Sequence, residues 1–466
     1  MEEKCDIVVL GGGPGGYVAA LRGAQLNKKI LLVEKEQIGG TCMNRGCIPT
    51  KYLLHQTQLL RDLKDNPNID GPVGKLKLNW ARVQEGKRDS VERLVKGIEF
   101  LLKKNGVRII RGEARLESEK EVTVLSREVT KIFADNIILA TGSESASLPF
   151  IQPNGKQIIT SRDALELEEL PRRLLIVGAG AIGLEIGTIF HRMGCDVTIL
   201  ELMPTVLPGI DRDMAVRLER LLKAQGLKIH TQMKIEKCDL KNGNVEVGGV
   251  NLKTMSLFDF EADKILLAAG RIPNSDAFMG KDTRLDFNPN GFLKVENNLE
   301  TGIPGIYAIG DLIGGKLLAH KASHEGIIAV ENACGRKGQM NYDALPSAVF
   351  TEPEFACVGI TETEARNKGL SLSLGLFSLQ ANSRALTMSK LDGMVKILSD
   401  SEERIRGAQI ISPHASEIVM EVTLAIHNGL KLRDLSSVVH IHPTLSEAVM
   451  EAALKVKGEA IHMLNT

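Results

Sequence analysis

Short, wholly apolar runs alternate along this chain with longer stretches in which apolar residues recur every three or four positions. The first run, Asp6-Ile7-Val8-Val9-Leu10, leads into a glycine-rich segment, a helical pattern and a second run, Ile30-Leu31-Leu32-Val33-Glu34. Runs of this length, rich in β-branched residues and without polar alternation, predict strands buried on both faces, as in a parallel sheet. The same order recurs from Arg173: a run to Val177, a second glycine turn, a helix to about Met193, and a run from Asp196 to Glu201. An offset of 167 residues lays Gly11 on Gly178, Gly13 on Gly180, Gly16 on Gly183 and Glu34 on Glu201. Four matches at one offset predict two copies of one strand–helix–strand unit.

Between the copies, residues 49–63 and 89–104 carry apolar positions at helical spacing, with Gly106 as a stop for the second. Residues 107–130 alternate in strand fashion. Three further buried runs end in turns: 136–140 in Thr141-Gly142, 264–269 in Gly270-Arg271, and 306–309 in Gly310-Asp311. From about Asp343 the character changes, and 346–350, 372–378 and 394–398 predict an antiparallel sheet, with helices over 416–428 and 444–457. The expected fold is α/β: two Rossmann-like doubly wound dinucleotide-binding domains plus a C-terminal α/β domain. Its expected boundaries are 1–148 and 269–342 for the first, 149–268 for the second, and 343–466 for the last.

Length supports this division, since 466 residues exceed one core and suggest about three domains of ~150 residues. Hydrophobic content of 43%, charged content of 25% and a net charge of zero are those of an ordinary globular protein. Neither nucleic acid nor an anionic membrane is an expected partner, because each favours a basic face. The longest apolar run, 174–184, is broken by glycines and is shorter than the ~18 residues of a spanning helix. The acidic start, Met1-Glu2-Glu3-Lys4, lacks the pattern of a secretion signal, so a cytoplasmic location is expected. Of seven cysteines, Cys5, Cys195, Cys238, Cys334 and Cys357 are scattered and read as small buried hydrophobes.

Each glycine motif follows a strand, opens a helix, and has a glutamate at the end of the next strand, which is the context that gives the motif meaning. Gly11 permits the tight turn, Gly13 lets backbone approach a pyrophosphate, and Gly16 lets helix and strand pack closely; the helix end then holds the anion. Glu34 and Glu201 are placed to accept from ribose hydroxyls. A carboxylate at 201, with no arginine before Arg212, repels a 2′-phosphate and favours NAD over NADP. Two such sites suggest one flavin and one nicotinamide, and the cysteine pair just after the first copy assigns the flavin there.

That pair lies in Gly39-Gly40-Thr41-Cys42-Met43-Asn44-Arg45-Gly46-Cys47-Ile48-Pro49-Thr50-Lys51. On a regular helix two cysteines five apart point about 140° away from each other and are too distant to bridge. A disulfide between them needs a distorted backbone, for which Gly46 and Pro49 supply the means, and such a bond is a reducible one. Lys51, one turn past Cys47, can favour a thiolate. Metal binding would need two further soft ligands at matching spacing, which the nearby sequence lacks.

A dithiol substrate must lose a proton before attacking a disulfide, and His442 is the candidate base. Pro443 keeps it out of the following helix. Glu447 has two readings: partner of Thr444 in a capping box, or the carboxylate that fixes the His442 tautomer. His440 reads as structural.

The Gly39–Lys51 segment resembles the redox-active motif of the pyridine-nucleotide disulfide oxidoreductases, and the resemblance covers essentially the whole chain. Ala140-Thr141-Gly142, Gly270-Arg271-Ile272-Pro273-Asn274 and Tyr307-Ala308-Ile309-Gly310-Asp311 match further motifs of that family. It implies FAD and NAD as cofactors and a homodimer formed through the C-terminal domain. Cys42 would exchange with substrate sulfur, Cys47 would face the flavin, and Lys51 and Glu185 would pair beside it. FAD contacts are implied for Gly11, Gly13, Gly16, Glu34, Lys35, Gly40, Thr41, Lys51, Gly112, Ala114, Thr141, Gly142, Ser143, Asp311 and Ala319. NAD contacts are implied for Gly178, Gly180, Ile182, Gly183 and Glu201, with Gly270 and Arg271 on the nicotinamide side. His442, oriented by Glu447, would complete the dithiol site of the other subunit. Met43, Arg45 and Thr50 depart from the commonest residues of the motif, and Arg45 has no role assignable from sequence.

Within the family, Leu318-Ala319-His320-Lys321-Ala322, Gly16-Tyr17-Val18-Ala19-Ala20 and the 442–447 run most resemble the branch that oxidises protein-bound dihydrolipoyl groups with NAD+. No cysteine follows Cys357, so the C-terminal redox pair of some other branches is missing, and the lack of basic residues after Glu201 argues against glutathione-type reductases. The implied partners are lipoyl-bearing proteins of 2-oxo-acid dehydrogenase, acetoin dehydrogenase or glycine-cleavage systems. No lipoyl segment precedes the first strand, so the substrate arm is expected on another chain. A mainly peripheral, structural role in such a complex is the competing class of function.

Overall fold

Ile7 to Leu10 are buried on both sides of their strand, and so are Ile30 to Val33. That is the burial of central parallel strands covered by helices. The computed structural model describes residues 1–241, 243–280 and 284–465. It sets the first sheet in the order Arg108–Arg111, Ile30–Glu34, Glu2–Leu10, Thr130–Leu139, Glu121–Leu125 and Glu113–Leu116, with Ile306–Ala308 also paired to Thr130–Leu139. The pairings among the first four strands and with Ile306–Ala308 are parallel, and the last two strands return antiparallel. This sheet belongs to a unit comprising Met1–Leu148, Thr160–Glu169 and Ala269–Met340. Helices Pro14–Gln25 and Ala319–Ala333 cross at close range in it, because Gly326 approaches the Gly15 carbonyl so nearly that a Cβ would fall 2.5 Å from that oxygen.

The second unit comprises Pro149–Ile159, Leu170–Ala268 and Asn341–Thr466. Its parallel sheet runs Lys228–His230, Asp196–Leu200, Arg173–Val177, Lys264–Leu267, Ile158–Ile159. The C-terminal segment forms an antiparallel sheet in the order Ser347–Val349, Glu354–Gly359, Ile405–Ser412, Met394–Ser399, Ser373–Ser378. Helices Ala415–His427 and Glu447–Val456 pack on that sheet over one apolar core that includes Val358, Ile397, Ile410, Val419 and Val449.

The fold class is the expected α/β one. The pattern passed over Glu354–Gly359 and Ile405–Ser412, which are two of the three inner strands of the C-terminal sheet. Both carry a glycine that breaks the apolar run, Gly359 and Gly407, and both glycines sit where a Cβ would strike backbone of the opposing segment. The helix expected from Asp89 begins at Trp80, capped by the Asn79 side chain accepting from Arg82 N. Residues 160–169, expected with the second dinucleotide domain, join the first unit. Trp80 Nε1 donates to Leu167 O at 2.8 Å and the buried Lys87 Nζ to Leu165 O at 2.6 Å. Among the described residues no helix is long and apolar enough to cross a membrane.

Candidate active site

The two cysteines lie on separate helices, and the helix expected from residue 49 starts at Cys47. One runs Gly40–Arg45 and the next Cys47–Asp65, and Gly46 between them adopts φ −144° and ψ −109°. Gly46 alone makes the break; Pro49 sits within the first turn of the second helix, where its missing donor costs nothing. A Cβ on Gly46 would lie 2.9 Å from Thr41 O, so the corner closes tightly enough to set the Cys42 and Cys47 side chains in hydrogen-bond contact. Both are thiols in this structure. The hydrogen bond to Cys47, and then burial, push the Cys42 thiol far above its usual range, while the Lys51 charge pulls the other way. The loop is tied to the first glycine turn, with Gly39 N donating to Gly12 O at 2.8 Å. Tyr17 borders it, its hydroxyl pushed up by burial and by the neighbouring Cys42. Arg45 has a partner after all: its guanidinium pairs with Glu36 and holds that carboxyl below the usual range.

The first glycine turn fits a dinucleotide by what its glycines do and do not touch. Gly11 has φ +107° and a Cβ there would be 2.3 Å from Ala140 O, while one on Gly16 would be 1.8 Å from Gly11 O. Those two are required by the fold. Gly13 is not, since a Cβ would meet only Gly40 Cα at 3.9 Å, which leaves its backbone open to a pyrophosphate. The second turn repeats the pattern. Gly178 has φ +106°, a Cβ on Gly183 would be 2.0 Å from Gly178 O, and one on Gly180 would meet nothing within 4 Å. The acids repeat as well. Glu34 accepts from Gly12 N at 2.6 Å and Glu36 N at 2.7 Å. Glu201 accepts from Ala179 N at 2.6 Å and Met203 N at 2.8 Å. Each oxygen keeps a second lone pair for a ribose hydroxyl.

Around the first turn, Thr141 and Asn274 exchange hydrogen bonds at 3.1 and 3.0 Å. Ser143 Oγ donates to Asp311 Oδ2 at 2.5 Å. Gly112 follows the strand beside Glu34, its N–H donating to Glu34 O at 3.1 Å; Ala114 lies in the returning strand Glu113–Leu116, and Ala319 opens its helix. Lys35 and Thr41 line one cleft with Arg45, Ser143, Arg271 and Asn274. The resemblance sets Arg271 on the nicotinamide side. In the first unit its guanidinium donates to Ser143 Oγ at 2.7 Å and Ser143 O at 2.6 Å, with Asp311 at 3.7 Å. In the second unit, Ile182 lies in the first turn of helix Ala181–Arg192 and Glu185 is buried on it, its carboxylate accepting from Phe350 N at 3.0 Å.

Glu447 divides its two oxygens between the partners that its two readings name, His442 and Thr444. Oε1 meets His442 Nδ1 at 2.9 Å and Oε2 accepts from Thr444 N at 2.8 Å. Thr444 is no helix cap, because the helix begins at Glu447 and the Thr444 hydroxyl donates to Ile441 O. Burial pushes the Glu447 carboxyl up, but the Thr444 amide and His442 outweigh it and hold it below its usual value. An ionised carboxylate on Nδ1 places the ring proton there and leaves Nε2 as the basic atom of a largely exposed His442. His440 faces acceptors with both nitrogens, Glu421 Oε1 at 2.7 Å and Val438 O at 2.8 Å, and has none left for a substrate proton. A second pair went unread: His462 Nδ1 meets the buried Glu451 at 2.6 Å. The spacing of Glu447 and Glu451, one helical turn, was its only trace in the sequence.

The family model for pyridine nucleotide-disulphide oxidoreductases matches residues 5–326, and the model for that family's dimerisation domain matches residues 345–453. The chain belongs to this family. It is similar to the dihydrolipoyl dehydrogenase of Thermus scotoductus, 40% identical over 99% of both chains, and to that of Bacillus subtilis, 38% identical over 98% of this chain and 99% of that one. Among solved structures, LpdA from Mycobacterium tuberculosis superposes with a TM-score of 0.89 at 26% identity, covering 97% of this chain and 99% of that one. The flavoprotein disulfide reductase RclA from Escherichia coli does so at 0.84 and 27%, covering 96% and 99%. As a pyridine nucleotide-disulphide oxidoreductase the chain is an FAD-dependent, NAD-linked enzyme with a dimerisation domain.

Proposed function

We propose that the chain is a dihydrolipoyl dehydrogenase, oxidising protein-bound dihydrolipoyl groups and reducing NAD+. The observation that carries this reading is the Gly46 corner with its Cys42–Cys47 contact, in a chain similar over 99% of its length to an enzyme of that name. In the oxidised enzyme Cys42 and Cys47 share a disulfide. His442 Nε2 takes the proton of one substrate thiol, and the resulting thiolate attacks Cys42 Sγ while Cys47 leaves as thiolate. His442 passes that first proton to Cys42 and takes the proton of the second substrate thiol, whose thiolate attacks the substrate sulfur bound to Cys42, so the cyclic lipoyl disulfide departs with Cys42 as the leaving thiol. Two electrons have passed from substrate to the Cys42–Cys47 pair. The Gly11–Gly16 turn, Glu34, Thr41, Ser143 and Asp311 would hold FAD, which would supply the two-electron carrier, and the Gly178–Gly183 turn would hold NAD+. Lys51, whose charge opposes the rise of Cys42, favours the thiolate state of the pair.

In this reading the His442–Glu447 pair of one subunit serves the dithiol of the other, so the working enzyme is the homodimer. Its partners are lipoyl-bearing proteins of 2-oxo-acid dehydrogenase, acetoin dehydrogenase or glycine-cleavage systems, and its compartment is the cytoplasm, where thiols are kept reduced. The deciding experiment sets dihydrolipoamide with NAD+ beside glutathione disulfide with NADPH. Turnover of the first pair is expected, at least about a thousandfold reduced in Cys42→Ser. Preference for the second pair overturns the substrate, and undiminished turnover by Cys42→Ser overturns the chemistry.

A further inference from the structure

Lys321 and Glu325 form the most enclosed ion pair close to the flavin-side residues. Their side chains are 3% and 0% exposed, one turn apart on helix Ala319–Ala333, with Nζ 3.1 Å from Glu325 Oε1. A buried pair is costly to desolvate and is weak support for a fold by itself. Here each partner also holds backbone. Lys321 Nζ donates to Gly310 O at 3.0 Å, and Glu325 Oε2 accepts from Gly310 N at 2.7 Å. Gly310 has φ +74°, and a Cβ there would press Ala322 Cβ at 3.2 Å. Both polar groups of one left-handed glycine are thus gripped by a single ion pair, immediately before Asp311.

We infer that Lys321 and Glu325 are positioning residues for FAD, clamping Gly310 so that the Asp311 carboxylate faces the flavin chain. The pair acts through the Gly310 backbone, which both partners hold. Two facts make backbone orientation the quantity under control. Asp311 is already shared with Ser143 at 2.5 Å and lies 3.7 Å from Arg271, so a small rotation of its Cα would exchange one partner for another. And Gly314, just beyond, is also left-handed at φ +78°, so the short turn from Gly310 to Ile313 has freedom at both ends unless one end is held. The inference rests on the reading that Asp311 contacts FAD.

The test is a double-mutant cycle on the holoenzyme, reading FAD release by flavin fluorescence on dilution. Lys321→Met is expected to raise the FAD dissociation constant about tenfold, within the range that contacting groups show. Asp311→Asn is expected to raise it as well. Adding Lys321→Met to Asp311→Asn is then expected to change it by less than about twofold, because the clamp acts through the carboxylate already lost. If the two substitutions multiply, the pair merely stabilises the unit and the clamp is wrong while the flavin assignment stands. Unchanged release from Asp311→Asn overturns the flavin assignment and the clamp together. Should Lys321→Met fail to accumulate folded, Glu325→Met in the same cycle gives the same reading, since it removes the acceptor that holds Gly310 N.

Discussion

A carboxylate that receives hydrogen bonds gains from them only while it is ionised, and Glu447 is held in that state by Thr444 and His442 against the pull of burial. Its folded pKa is depressed, so its contribution to stability is present above the unfolded value of about 4.3 and is lost as pH falls through the folded one. Glu447→Gln is therefore expected to melt lower than the parent protein at pH 7, with the gap closing only as pH falls below about 4, and to lose about tenfold to a hundredfold in kcat/KM for dithiol oxidation as the imidazole loses its orienting carboxylate. Thermal scans across that pH range check the first part; a gap that stays constant means that Thr444 and His442 do not hold the charge. At this scale much was legible. Proline after His442 and a glutamate five positions on are local marks. The division of labour between the two oxygens was not legible, because both readings place the same atom group within reach and only coordinates assign each lone pair. Arg45 was opaque for a related reason: its partner Glu36 lies on the far side of two turns.

The two strand–helix–strand copies agree beyond the residues that reveal them. The offset that matches their glycines also matches Gly12 with Ala179 and Glu36 with Met203, the amides that bond to Glu34 and Glu201. A paired substitution separates ligand space from packing space. Gly180→Ala adds a Cβ to an opening and is expected to leave the melting temperature unchanged while weakening NADH binding at least about tenfold. Gly183→Ala, with a Cβ 2.0 Å from Gly178 O, is expected to destabilise by several kcal/mol, on the order of the largest core effects. NADH titration followed by tryptophan or nicotinamide fluorescence, beside a melting curve, tests both; equal binding by Gly180→Ala and the parent contradicts the cradle. Repeats of this kind are easy to read because period and glycine position reinforce each other. The break at Gly46 was harder to assign, since two residues offered it and the closeness of Thr41 O, which decides between them, is a property of the folded turn.

Across the whole molecule, contacts between distant segments carry stability that no motif announces. Lys396, with a fully buried side chain, meets Asp211 at 3.0 Å, Asp213 at 2.9 Å and Glu362 within the second unit. Burial would lower its pKa, but the three carboxylates outweigh burial and keep the ammonium charged. Lys396→Met is expected to cost about 3–5 kcal/mol in denaturant unfolding, because it strands carboxylates without their cation; a loss under 1 kcal/mol would mean that water replaces the ammonium. Sequence could not show this group, whose members are joined only by the fold.

The double duty of Glu201 bears on how this enzyme could change over time. In the proposed NAD site its carboxylate would oppose a 2′-phosphate, and it fastens the amides of Ala179 and Met203. A lineage moving toward the phosphorylated cofactor must discard that acid, and in doing so unfastens the turn that any nucleotide needs. The first step of such a switch is a loss of binding to both cofactors, a valley that can be crossed only if another acceptor has already reached the two amides. Preference for NAD is in this sense inherited with the turn itself.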